Sequence, residues 1–329
     1  MNAKLQSQLR EQVKKLDSIS AAPAILKPLL DVMRLPSDQI KLEKVVEMIS
    51  FDGSIAAQCL RLANSPLYRR RETETVRAGV MALGIDRVRS MLLGLCLNRV
   101  IPQDKWVLDP NAFWRHSLGC ALVTQRMAKR IDYPEPEKAY LAGLIHDLGF
   151  LVNSVLYHDG FKECLRLATE QHAPLNVIEE QILGFSHCDT GQMLCEHWGL
   201  SKEFGESARC HHDVSLLPTA GPLACLVHLG DLLCRMQYLG YGYDEIMGVD
   251  LGSDVAWETL VITYPALAKM DLIRFTLDID GAMPEITATV DSVFGAKQMA
   301  AVANSRRTHG ADLDEFSKKK NSAKKRPER

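Results

Sequence analysis

Seven side chains of this 329-residue chain could do chemistry together: His116, the pair His146-Asp147, His187, the pair His211-His212, and Asp231. Imidazole nitrogen and carboxylate oxygen together suit a divalent transition metal, and a carboxylate inside a group of histidines can bridge two ions. Two ions so held lower the pKa of a bound water toward ~7 and orient it for in-line attack on a phosphoester. Taken singly, the residues say less. A lone His-Asp dipeptide, a histidine such as His116 between Trp114 and Leu118, or one near a helix end such as His187 or His211, is more often structural than functional. Asp231 is more demanding. It stands among Val227, Leu229, Leu232 and Leu233, and a carboxylate buried there needs a cation or hydrogen-bond donors. His158, His172, His197, His228 and His309 read as solvated or structural.

Helices must position these residues. Apolar positions recur at helical spacing over 24–34 and 40–50, with Pro36 between them. Asp52 can cap a helix over 53–63 that stops at Asn64-Ser65-Pro66, and another follows over 86–100. Beyond the segment holding Pro102 and Pro110, the pattern predicts helices over 111–131, 135–148, 158–171, 174–183, 187–198, 201–212 and 219–238. Neighbouring side chains on a helix diverge by about 100°, so His146 and Asp147 can serve one centre only where the helix ends or its axis points suitably. Gly149 fits such an end. A short strand is allowed only over 278–289. The chain is expected to be all-α, a multi-helix bundle with a smaller N-terminal helical lobe.

Composition sets outer limits. Hydrophobic content of 47% with 24% charged residues is that of an ordinary globular protein, and a net charge of -2 gives no global reason to expect nucleic acid or an anionic membrane. No apolar run is expected to reach the roughly 20 residues that span a bilayer. The start MNAKLQSQLREQVKKL is amphipathic and polar rather than a secretory signal, so a cytoplasmic location is expected. Nine cysteines without a C-x-x-C pair read as reduced interior thiols. Residues 305–329, with KKK at 318–320 and KKR at 324–326, read as a disordered basic tail with at most weak attraction for nucleic acid or acidic lipid.

The joint pattern resembles the HD superfamily of metal-dependent phosphohydrolases. There a histidine, a His-Asp pair and a distal aspartate hold one metal, and further histidines in bimetallic members hold a second. His116, His146, Asp147 and Asp231 match the first set, with Asp147 placed to bridge, while His187, His211 and His212 match the additional positions. FDGSIAAQCLRLANSPLY at 51–68, VRAGVMALGIDRVRSMLLG at 76–94, WRHSLGCALVTQRMA at 114–128, AGLIHDLGFLV at 142–152 and GFSHCDTGQMLCEHWGLS at 184–201 narrow the resemblance to the HDOD branch, the HD-related output domain of bacterial signalling proteins. The resemblance covers roughly 17–238. It implies an N-terminal helix over 1–16 and an HDOD domain over 17–240, divided into a helical lobe (17–105) and a metal-site lobe (106–240). A C-terminal helical extension over 241–304 and the basic tail would follow. One or two ions of iron, manganese, zinc or nickel are implied, since His/Asp ligation suits all four.

Two departures bear on activity. Active relatives commonly carry a lysine after the His-Asp pair, in a pattern like HDxGK, where it would supply positive charge to a phosphate oxygen or leaving group; here Phe150 stands instead. The Gly-Tyr-Pro segment of cyclic-di-GMP-hydrolysing relatives is replaced by DVSLLP after His212. Two functions are therefore expected in competition. One is a signalling output or scaffold module acting through protein partners. The other is a metal-dependent phosphohydrolase, a phosphodiesterase or nucleotidase, with a nucleotide or phosphoester ligand and Asp147 as its indispensable residue. No receiver, kinase or cyclase segment is recognisable, so the input is expected from another chain or a small ligand.

Overall fold

In the computed structural model, the described residues are 3–14, 31–32, 35, 39–50, 52–100, 105–217, 221–237, 239–241, 251–268 and 272–294. They form α1 (Ala3–Lys14), α2 (Leu42–Ser50), α3 (Gly53–Ala63), α4 (Val76–Leu83), α5 (Ile85–Val100), α6 (Pro110–Arg130), α7 (Pro136–Ile145) and α8 (Gly149–Leu156). The rest are α9 (His158–Gln171), α10 (Leu175–Ile182), α11 (His187–His197), α12 (Lys202–Cys210), α13 (Pro222–Met236), α14 (Val255–Thr263), α15 (Pro265–Ala268) and α16 (Leu272–Phe294). No strand occurs among the described residues, so the fold is all-α. The helix expected over 24–34 falls almost wholly outside them, as does the tail 305–329.

The helix at the centre of the bundle is α6, which is buried all round and carries its polar residues, Arg115, His116, Thr124 and Gln125 among them, inward with the apolar ones. Every residue from Ala112 to Gln125 is buried. Its start is set by Asp109, whose side chain accepts from the Asn111 amide, with Pro110 in the first turn. Helices α7, α13 and α16 pack against this central rod. The smaller lobe, α2 to α5, meets it through α5 and α7. There the buried Arg87 bonds Glu137 at 2.8 Å and Gln125 at 3.2 Å and lies over the ring of Tyr68, 4.5 Å from its centroid.

One stretch is more apolar than the sequence reading allows. The 21 residues Pro136–Leu156 are long and apolar enough to cross a bilayer, but 89% of that window is buried inside the protein. Its hydrophobicity belongs to the core, and a turn at 146–148 breaks it into α7 and α8. This break is the helix end that the His146-Asp147 pair requires.

The strand allowed at 278–289 is instead part of α16, despite Pro284 within it. Phe275, Ile279, Met283, Ile286, Val290 and Val293 are all buried, a spacing of three or four that only a helix presents to one side. Burial of that stripe overrides the β preference of the Ile, Thr and Val residues. The helix ties the lobes together: Arg115 pairs with Asp291 at 2.6 Å, and Thr289 accepts from the Leu67 amide at 3.4 Å.

Gly149, where α8 begins, is forced to be small by close contact with α11. A Cβ there would fall 1.8 Å from the His187 carbonyl oxygen and 2.9 Å from the Gly191 nitrogen. Gly149→Ala should therefore lower stability by about 3 kcal/mol or more in urea denaturation. Gly281→Ala, in α16 with nothing within 4 Å, should raise it by roughly 0.5–1 kcal/mol. Equal midpoints for the two variants would contradict the packing described.

Candidate metal centre

Five separate elements deliver the seven side chains to one place. His116 comes from α6, His146 and Asp147 from the turn between α7 and α8, and His187 from the first position of α11. A capping box made by Ser186 and Asp189 fixes that helix start. His211 and His212 follow the last residue of α12, and Asp231 lies within α13. Six of the seven are at most 2% exposed; His212, with a side chain 15% exposed, is the remaining one.

Each of four imidazoles is tied back by its Nδ1. His116 donates to the Leu239 carbonyl at 2.7 Å, His146 to that of Gly143 at 2.8 Å, and His211 to that of Ala208 at 2.9 Å. His187 donates to the Glu179 carboxylate at 2.5 Å. A carbonyl can only accept, so Nδ1 carries the proton and Nε2 is left as a bare lone pair. These four Nε2 atoms and that of His212 converge in two groups. His116 and His146 stand 3.3 Å apart there, His187 and His211 3.3 Å, and His187 and His212 3.0 Å.

Asp147 lies between the two groups. Its Oδ2 is 3.0 Å from His146 Nε2 and 3.6 Å from His116 Nε2, while its Oδ1 is 3.1 Å from His211 Nε2 and 3.5 Å from His187 Nε2. Asp231 completes the first group, with Oδ1 3.2 Å from His116 Nε2. Two nitrogens bound at about 2.0–2.1 Å to one tetrahedral ion stand about 3.3 Å apart, so these separations are those of ligands around cations. Facing lone pairs at that range repel one another unless a cation or proton lies between them. Asp147 Oδ1 makes the same point, being a buried carboxylate oxygen without a hydrogen-bond partner. The donor set fits divalent metal.

Electrostatics agree with the geometry for both carboxylates and for His211 and His212. Burial pushes Asp147 up, but His146 and His211 outweigh it and hold the carboxyl well below its usual range. Burial likewise opposes ionisation of Asp231, and is overcome chiefly by Arg235 and His116. Burial brings His211 down to about 4 and His212 well below the ordinary imidazole value, so both remain neutral, as ligands must be. His146 and His187 move the other way: burial works against their charge, yet Asp147 draws a second proton to His146, and Cys188 and Glu179 one to His187, a proton that a cation would have to displace from Nε2.

Several contributors are absent from the His/Asp pattern. Glu179, fully buried, accepts from both the backbone and the ring of His187 and is steadied by Asn153 at 2.8 Å. Arg235 pairs with Asp231 Oδ2 at 2.6 Å, an i to i+4 relation visible in the sequence. His228 links the His211 carbonyl at 2.7 Å to Asp254 at 2.9 Å. The Tyr241 hydroxyl donates to Asp147 Oδ2, and its ring lies 4.5 Å from that of His116. Phe150, standing where the lysine pattern would place its charge, stacks on His187 at 4.0 Å and is buried.

An all-helical bundle whose core gathers histidines and aspartates from five elements around a central carboxylate has the architecture of an HD-type metal-site protein. The HDOD domain model matches residues 20–214, and the chain belongs to that family. Among solved structures, it is similar to an HDOD domain protein of unknown function from Geobacter sulfurreducens, with 24% identity and TM-score 0.70 over 87% of this chain and 98% of that one. A candidate phosphohydrolase from Shewanella amazonensis SB2B matches with 20% identity and TM-score 0.64 over 86% and 97% of the two chains. A candidate signal transduction protein from Marinobacter aquaeolei VT8 matches with 22% identity and TM-score 0.66 over 88% and 66%. At these identities the likeness is one of fold. A Treponema pallidum (strain Nichols) protein without assigned function is 21% identical over 250 residues, 74% of this chain. The chain spans about half the length of that relative, 48%.

Glu179→Gln should weaken one of two metal equivalents by about 10–100-fold, because the carboxylate orients His187, and should leave the other unchanged. Chelator competition measures both affinities. Unchanged affinity for both ions would remove His187 from the ligand set.

Proposed function

We propose that this HDOD protein is a signalling output module whose His/Asp core binds two divalent transition metal ions and acts through protein partners. His116, His146, Asp147 and Asp231 would hold one ion; Asp147, His187, His211 and His212 would hold the other. Iron, manganese, zinc and nickel all suit such donors. The observation that carries the module reading is closure of the site. Six donors are buried, Tyr241 occupies Asp147 from one side, and the apolar Phe150 covers His187. Metal held there would organise the ends of α7, α11 and α12 and so the surface that meets a partner. In the same reading residues 17–240 are the working domain, 106–240 carry the metal lobe, and the protein acts in the cytoplasm.

A second reading has one specific observation in its favour, the two-sided reach of Asp147. Metals so placed in a phosphohydrolase supply a water of lowered pKa as nucleophile. The chain's own part would be to orient the imidazoles through Leu239, Gly143, Ala208 and Glu179. Tyr241 would have to leave Asp147 for a phosphoester to reach it.

One experiment separates the two. Metal-loaded protein should melt at a temperature that rises with metal concentration, and should not turn over a panel of phosphodiesters and nucleotides. Turnover that disappears in a folded Asp147→Ala variant would transfer the function to the enzyme reading. For the module, a folded Asp147→Ala variant should lose capture of an identified partner, because the surface that the metal organises is lost; capture equal to wild type would mean that the partner surface does not depend on the metal.

A further inference from the structure

The second group of donors contains a residue that the His/Asp pattern lacks. Cys188 follows His187 in the first turn of α11, is 3% exposed, and has its Sγ 3.7 Å from His187 Nε2. Its ligand atom and those of His187, His211 and His212 all lie within 4.8 Å of one another. Adjacent helical residues diverge by about 100°, but here the helix end itself faces the centre, so both side chains reach it. Sulfur at about 2.3 Å and imidazole nitrogen at about 2.05 Å from one tetrahedral ion stand about 3.6 Å apart, close to what is found. An independent feature points to a cation at the same spot. Asp147 Oδ1, buried and without a hydrogen-bond partner, lies 3.1 Å from His211 Nε2 and 3.5 Å from His187 Nε2.

We propose that Cys188 is a thiolate ligand of the ion held by His187, His211 and His212. Binding would release the thiol proton to solvent, and the thiolate would sit at a helix N-terminus, where the unpaired backbone amides favour negative charge. The two positions then differ in kind. His116, His146, Asp147 and Asp231 offer nitrogen and oxygen, which admit iron, manganese, zinc or nickel. The second position adds sulfur, which selects zinc or iron over manganese and magnesium. The proposal rests on the metal reading above and concerns which ion the second position takes.

Cobalt(II) separates the two claims without any assay of activity. Titrated wild-type protein should develop visible ligand-field bands and a near-ultraviolet sulfur-to-cobalt charge-transfer band. That band should be lost in Cys188→Ser, with visible bands remaining, and kept in Cys120→Ser and Cys210→Ser. Visible bands without charge transfer in the wild type, or a band that survives in Cys188→Ser, would overturn the thiolate ligand and leave the metal centre standing. No cobalt uptake would overturn both. X-ray absorption of the zinc-loaded wild type needs no variant: one sulfur neighbour at about 2.3 Å is expected, and a shell of only nitrogen and oxygen would refute it.

Discussion

The structure is organised around one buried carboxylate. Asp147 is 2% exposed and sits between two sets of imidazole nitrogens, with one oxygen 3.0 Å from His146 and the other 3.1 Å from His211. Burying an anion is costly unless positive charge meets it on every open side. Much of the surrounding architecture answers that requirement. The apolar stretch from 136 to 156 breaks at 146–148 so that Asp147 and His146 can both face inward, and Gly149 lets α11 approach closely enough to bring His187 against them. Five elements converge on the same few ångströms, and three of the five inward-turned imidazoles are held by backbone carbonyls. Such tethers fix orientation more firmly than side-chain packing alone, because the carbonyls belong to helix ends that the core already immobilises.

How much of this was legible in the sequence depends on which atoms carry it. The seven donors could be read because ligands are side chains of particular types, and the helices bearing them announce themselves by periodicity. Their ordering beneath the surface could be inferred from Asp231 among leucines. The tethers could not be read, because the carbonyls of Leu239, Gly143 and Ala208 have no residue identity. Glu179 gave no signal beside Glu180 in the short helix LNVIEEQI, and Tyr241 lies in a stretch without clear periodicity. Arg235, one turn beyond Asp231, was there to be found. The strand allowed over 278–289 shows the opposite failure: the stretch is helix, because the buried stripe from Phe275 to Val293 has more to gain from packing on α6 than its Thr, Val and Ile residues have from extended chain.

Function sits in a tension between two features of one site. The donors fall into two groups of imidazoles with one carboxylate between them, an arrangement that suits divalent metal. The access is that of a buried core: Phe150 replaces a charge that would have met a phosphate, and Tyr241 engages the carboxylate oxygen that an incoming group would approach. A centre that is complete but covered suits a metal that holds helix ends in register. It suits less well one that processes a substrate, because activity resides in the site rather than in the fold. Sulfur at the second position extends the same logic, because a thiolate strengthens retention of an ion more than it helps a bound water to react.

Anomalous diffraction from crystals of the metal-loaded protein, collected on either side of the metal's absorption edge, would locate metal on the two sides of Asp147. Two peaks are predicted, one among His116, His146 and Asp231 and the other among His187, His211 and His212, with Asp147 contributing one oxygen to each. A single peak that leaves either oxygen of Asp147 uncoordinated, or no peak near Asp147 at full metal loading, would contradict the account.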